Sequence, residues 1–266
     1  VTAVYGGSAS FVGSTSSASS QQVSPAATTT SLVSSANPST FGQSTTLTAT
    51  VSANAPGAGT PSGTVEFFDG ATSLGTGVLD GAGVASLSAS AFAPGVHDVT
   101  AVYTGSTSFV ASTSPVLPQE VSPAATTTAL VSSANPSTFG QSTTLTATVG
   151  VIAPGAGTPT GSVEYFDGPN LIGTATLSGG VATLSTSTLS AGAHDLTATF
   201  VASAGFLGST SATVVQYVAV SATTTSLAQS ATASVLGQPV TLTATVAAVA
   251  PGGVLVGDHA AEVVNK

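Results

Sequence analysis

Cysteine, methionine and tryptophan are absent from the sequence, and Lys266 is its only Lys or Arg. Without cysteine there are neither disulfides nor thiolate metal sites. That absence leaves the compartment open, because a disulfide-free domain can live outside the cell. One cation against ten Asp and Glu gives a net charge of −9. No basic footprint exists for a phosphate backbone, so nucleic acid is excluded as a partner. Anionic lipid surfaces are disfavoured for the same reason. Long apolar runs are also missing. The stretch Val246–Ala250 meets Pro251 well short of the ~20 residues of a spanning helix, so membrane insertion is not expected. With no Met, Val1 is not a translation start, and no charged segment leads into an apolar one as in a signal peptide. The chain therefore reads as a processed product or a fragment.

Charged residues make up 4% of the chain, so solubility must come from Ser, Thr and Gly. Such a surface suits neighbours that are walls, glycans or further copies of itself. Disorder is the competing reading for a Ser/Thr/Gly/Ala-rich chain, but disordered chains are poor in apolar residues. Here 42% are apolar.

The sequence repeats itself. Thr28–Val51 (TTTSLVSSANPSTFGQSTTLTATV) returns at Thr126–Val149 with one change, at an offset of 98, and a weaker copy starts at Thr223. GTVEFFDG (Gly63–Gly70) returns as GSVEYFDG (Gly161–Gly168), and HDVTAVY (His97–Tyr103) as HDLTATF (His194–Phe200). The opening VTAVY matches Val99–Tyr103. A period this long exceeds solenoid repeats of about 20–50 residues and fits a whole small domain. Residues 1–24 then form the C-terminal part of one module, 27–121 and 125–220 two complete modules, and 223–266 the N-terminal part of a fourth. Short, Pro-containing joints at Ser24–Thr30 and Ser122–Thr128 should be semi-extended.

Inside a module the apolar period is two. Leu47, Ala49 and Val51 alternate with Thr46, Thr48 and Thr50, and Val65 and Phe67 flank Glu66. Half-buried antiparallel strands with Thr on the wet face follow. Turn chemistry separates them at Asn37-Pro38, Pro56-Gly57, Asp69-Gly70, Asp80-Gly81 and Pro94-Gly95. About seven short strands in ~98 residues predict an all-β chain of tandem, seven-stranded immunoglobulin-like β-sandwiches. The expected core is Leu47, Val65, Phe67, Leu87, Val99 and Tyr103, with Leu145, Val163, Tyr165, Leu184, Leu196 and Phe200 as counterparts.

The order VEFFDG, LGTGVL (Leu74–Leu79), GVASLS (Gly83–Ser88) and GVHDVTAVYTGSTSF (Gly95–Phe109) resembles the bacterial immunoglobulin-like repeat domains of large secreted and surface proteins. It recurs as VEYFDG, LIGTATL, GVATLS and GAHDLTATFVASAGF. The resemblance covers both complete modules and both partial ones, and fails over Gly252–Lys266. It implies a sandwich with a spacer or adhesive role and implies no catalytic residues.

The candidates for chemistry are few. His97-Asp98 and His194-Asp195 are repeated His–acid pairs, but adjacent residues on a strand face opposite ways and cannot form the His–Asp limb of a triad. Exposed polar tips at a strand start are expected instead. Glu66/Asp69 and Glu164/Asp167 resemble paired acids, yet each Asp precedes the Gly of a tight turn and each Glu lies between inward apolar residues. Calcium asks for about six to eight oxygens in one loop. The acids are scattered, and Glu120 is the one acid beside a joint. No catalytic, cofactor-binding or metal site is expected, and no cofactor.

Exposed aromatics for glycan binding are not evident, since Phe41/Phe139 and Phe109/Phe206 sit at repeat-matched positions that core packing explains. Asn37 and Asn135 precede Pro, so neither is an N-glycan acceptor.

A non-catalytic, extracellular or cell-surface spacer is the function these features predict, with adhesion or self-assembly as the alternative. Loop sequences bear on the choice. APGAGTPS against APGAGTPT is nearly constant and favours a spacer, whereas TGSTSFVAS against VASAGFLGS varies. The expected partners are neighbouring modules, then other copies of the chain or a cell-surface glycan. Val1 aligns with Val99 and Lys266 with Ala71, so both ends fall inside modules. Excision from a longer array accounts for that, as would head-to-tail complementation into a filament.

Overall fold

Residues 1–252 are described by a computed structural model. Among the described residues every regular element is a strand, as alternation and the frequent Gly and Pro breaks require. Two compact units form: Val1–Ser39 with Ser44–Val121, and Thr40–Gln43 with Ser122–Lys266.

The first unit opens with a hairpin of β1 (Val4–Tyr5) and β2 (Ser14–Thr15). Then follow β3 (Thr28–Ser34), β4 (Ser39–Thr40), β5 (Thr45–Ala53), β6 (Thr64–Asp69), β7 (Thr72–Val78), β8 (Val84–Ala89), β9 (Gly95–Tyr103), β10 (Ser112–Thr113) and β11 (Leu117–Ser122). One sheet runs β3-β5-β8 and the other β4-β11-β9-β6-β7, with β10 also on β9. Seven longer strands and two dipeptide strands thus make an immunoglobulin-like sandwich.

The second unit repeats the plan. Its strands are β12 (Thr126–Ser132), β13 (Ser137–Thr138), β14 (Thr143–Val151), β15 (Ser162–Asp167), β16 (Asn170–Thr176), β17 (Val181–Thr186), β18 (Gly192–Phe200), β19 (Ser209–Thr210) and β20 (Val214–Ala219). The sheets run β12-β14-β17 and β13-β20-β18-β15-β16, with β19 on β18 and β13 parallel to β20. A last hairpin joins β21 (Thr223–Gln229) to β22 (Leu242–Ala248) in the register of β12 on β14. The β1–β2 pair likewise has the register of β9 on β10. The divergent sequence from residue 253 onward, including the alignment of Lys266, lies outside the described residues.

Leu47, Val65, Phe67, Val99 and Tyr103 are fully buried, as are Leu145, Val163, Tyr165, Leu196 and Phe200. Each core holds one tyrosine, at exchanged positions. Tyr103 donates to the Ser62 carbonyl at 2.8 Å, and Tyr165 to the Ala182 carbonyl at 2.7 Å. Burial pushes the Tyr165 phenol up, against a backbone hydrogen bond that lowers it. Leu87 and Leu184, expected in the core, are only half-buried. They lie on the edge strands β8 and β17, against Gly75 and Gly173. Of the repeat-matched phenylalanines, Phe206 is buried while Phe109 and Phe139 are half-buried. Phe41, in the Thr40–Gln43 segment of the second unit, lies edge-on to Phe206 with ring centroids 5.2 Å apart.

Candidate functional site

The two sheets of each sandwich approach each other along their sides. At one, β7 approaches β8 so tightly that a Cβ on Gly77 would stand 3.0 Å from the Ser86 carbonyl oxygen. At the other, the hydroxyls of Thr28 and Thr30 each lie 2.7 Å from that of Ser112. Thr126 and Thr128 repeat this with Ser209, at 2.8 and 2.7 Å.

The Asn-Pro turns are more than turns. Asn37 carries the chain from β3 in one sheet to β4 in the other, and its amide takes the place of a strand beside β11. Asn37 Nδ2 donates to the Pro118 carbonyl at 2.7 Å, and its Oδ1 accepts from the Glu120 N–H at 3.0 Å. Asn135 does the same with Val215 and Tyr217, at 2.7 and 3.0 Å. Beneath each turn sits a fully buried glutamine. Gln119 Nε2 donates to the Ala36 carbonyl at 2.9 Å and to Ser39 Oγ at 3.1 Å. Gln216 repeats both bonds and also accepts from Ser132 at 2.6 Å. Ser34, the counterpart of Ser132, donates instead to the Ala36 carbonyl, and Gln119 Oε1 has no hydrogen bond. The alternation in Leu117, Gln119 and Val121 was the available signal, a polar residue at an inward position.

His97 and His194 are not the exposed tips expected of them. His97 shares the inward face of β9 with Val99, whose cross-strand partner on β6 is Asp69. The diagonal neighbours therefore meet: His97 Nδ1 lies 2.7 Å from Asp69 Oδ2, and Nε2 lies 2.8 Å from the Ala93 carbonyl. His194 repeats the geometry with Asp167 at 2.7 Å and the Ser190 carbonyl at 2.8 Å. Asp98 and Asp195 take no part, as strand geometry requires. The sequence gives Asp69 and Asp167 a turn role only. The turns do form, but the carboxylates serve the histidines. Glu66 is separate from Asp69 and accepts from Ser73 at 2.7 Å.

The second unit thus contains a Ser-His-Asp string, with Ser190 Oγ 3.5 Å from His194 Nε2. A general base must accept a proton at that nitrogen. Here Nε2 is aimed at an acceptor-only carbonyl 2.8 Å away, so it donates. In the first unit Ala93 stands where Ser190 does and the same clip forms without a hydroxyl. The arrangement ties a loop to a sheet and does not activate a nucleophile. Burial would lower both histidines, but the hydrogen bonds to backbone and carboxylate prevail and hold both above the usual imidazole range.

The remaining acids are occupied or scattered. Asp80 accepts from the Val84 and Ala82 N–H groups at 2.9 and 2.8 Å, bonds that lower its pKa. Among the described residues no three His, Cys, Asp or Glu side chains gather as metal ligands would. No described helix is long and apolar enough to cross a membrane. The sequences of the two sandwiches diverge on the outer face of the larger sheet, where Tyr217, 58% exposed, replaces Glu120.

Comparison with known proteins follows the fold. The family model described as bacterial Ig-like domain (group 3) matches residues 32–122 and 130–219. No curated protein matches the sequence. Among solved structures, the fibronectin(III)-like modules of Clostridium thermocellum CbhA align at 18% identity over 72% of this chain and 93% of theirs, with a TM-score of 0.28. An ICAM-5 D1–D4 ectodomain fragment aligns at 20% identity over 81% of this chain and 59% of its own, with a TM-score of 0.36. The Escherichia coli adhesin FdeC aligns at 15% identity over 82% and 72%, with a TM-score of 0.27.

Proposed function

The chain belongs to the bacterial Ig-like domain (group 3) family, and we propose that it is a non-catalytic spacer array of a secreted or cell-surface protein. In this reading 27–121 and 125–220 are complete modules, flanked by parts of two more in 1–24 and 223–266. The observation that carries the proposal is that polar side chains convergent enough to suggest chemistry are consumed in holding each sandwich together. Asn37, Gln119 and the His97–Asp69 pair bind their own module, and the second module repeats each pairing.

Adhesion is the second reading. It rests on Tyr217, an exposed aromatic of the kind enriched in binding interfaces. Light scattering of the chain over a concentration series separates spacer from self-assembly. A constant mass of 25.1 kDa supports the spacer. A mass that climbs with concentration supports assembly.

A further inference from the structure

The histidine clip has a property that a spacer does not need. Its two acceptors, the Asp69 carboxylate and the Ala93 carbonyl, have no hydrogen to give. A neutral imidazole carries one N–H and can serve only one of them, whereas the imidazolium serves both. The ring thereby ties β6 to the segment between β8 and β9. Phe92 of that segment is buried, with its ring centroid 4.9 Å from that of His97. Asp69, Thr72, Leu74, Ser88, Phe92 and His97 line an open groove of about 520 Å³ under the segment.

We propose that residues 90–94, and 187–191 in the second module, are straps that a protonated histidine latches shut and that loosen when the histidine loses its proton. The surroundings leave the latch a two-group device. From β6 the charge in contact is Asp69, while Glu66 is engaged on the outer surface by Ser73. From β11 the cross-strand neighbour of His97 is the uncharged Gln119, with Glu120 on the other face. On β9 itself Asp98 points away, and β7 presents Thr72 and Leu74 to the groove. His194 is held in the same way, with Asp167, Gln216 and the strap residue Ser190 around it, and the strap residue Leu189 packs against the core. Losing one of two hydrogen bonds in each module releases an apolar residue, Phe92 or Leu189, at the end of its core.

Backbone ¹⁵N relaxation of the whole chain tests the latch. The amides of residues 90–93 and 187–191 go from rigid order parameters of about 0.85 to below about 0.6 as pH rises from about 5.5 to about 8.5, across the histidine range. In Asp69→Ala/Asp167→Ala, which leaves the ring one acceptor at any pH, the same amides are mobile at both values. A strap whose mobility is flat with pH, or a double variant that keeps the parent profile, overturns the proposal. Ring ¹⁵N titration of the unaltered chain provides a readout that needs no variant. Strap amides and ring nitrogens share one midpoint if the latch exists, and separate midpoints contradict it.

Discussion

Asn37 accepts the backbone N–H of Glu120 at 3.0 Å and so crosses from the chain leaving one sheet to the last strand of the other. With its second bond, to the Pro118 carbonyl at 2.7 Å, it acts as a one-residue strand. Both partners are backbone groups at a sheet edge that only side-chain amide geometry satisfies at once. Asn37→Ala or Asn135→Ala should cost its module about 1–2 kcal/mol. Urea unfolding measures this as a lowered midpoint at constant slope. An unchanged midpoint removes the bridging role.

The leucine rows separate full from partial burial. Leu47, fully buried on β5, sits opposite Leu87 on the edge strand β8, which is half-buried. Leu47→Ala should cost about 2–5 kcal/mol, and Leu87→Ala less, because less apolar surface and a smaller cavity are involved. Equal losses at the two positions contradict this placement.

Gly83 tests the hairpin that leads into β8. Its φ is +78°, and a Cβ there would meet the Val51 carbonyl oxygen at 2.6 Å. That strand cannot retreat without breaking the hydrogen bond from the Val51 N–H to the Gly83 carbonyl at 2.9 Å. Gly83→Ala should therefore destabilise by about 1–3 kcal/mol, and Gly81→Ala, beside open space, by less. Thermal unfolding of the two variants gives the comparison.

The histidines set a pH dependence of known sign. His97 and His194 both lie above their ordinary value when folded, so the native state binds more protons than the unfolded chain across that window. Stability from these groups is fully present below the unfolded pKa of about 6.5 and is lost as pH rises through the folded value. Denaturant midpoints should be higher at about pH 6 than at about pH 8.5. A rise towards alkaline pH contradicts the clip.

Most of the sandwich was legible because one face of each strand is apolar. Leu47, Val65, Phe67, Val99 and Tyr103 announce themselves by alternation, and all are buried. The polar interior was not legible. Asp69 and His97 are 28 residues apart, and their meeting depends on β6 lying beside β9 in one register. Strand alternation alone ruled out Asp98 but could not supply Asp69. Alternation puts Gln119 on an inward face, but its partners appear only once Ala36 and Ser39 are placed over it. Ser112 belongs to a strand of two residues, too short for any periodicity, yet it closes a seam through Thr28 and Thr30. Leu87 misled in the opposite direction, since alternation marks the inward face and not the distance from the sheet edge.

In a spacer each repeat adds length. Small-angle X-ray scattering on arrays of two, four and six copies of the repeat measures this directly. Nine-residue strands span about 30 Å each. A spacer predicts that the maximum dimension grows by a constant increment per module, of that order or somewhat more. A dimension that grows only as about the 0.38 power of chain length, as in a compact globule, is incompatible with a spacer.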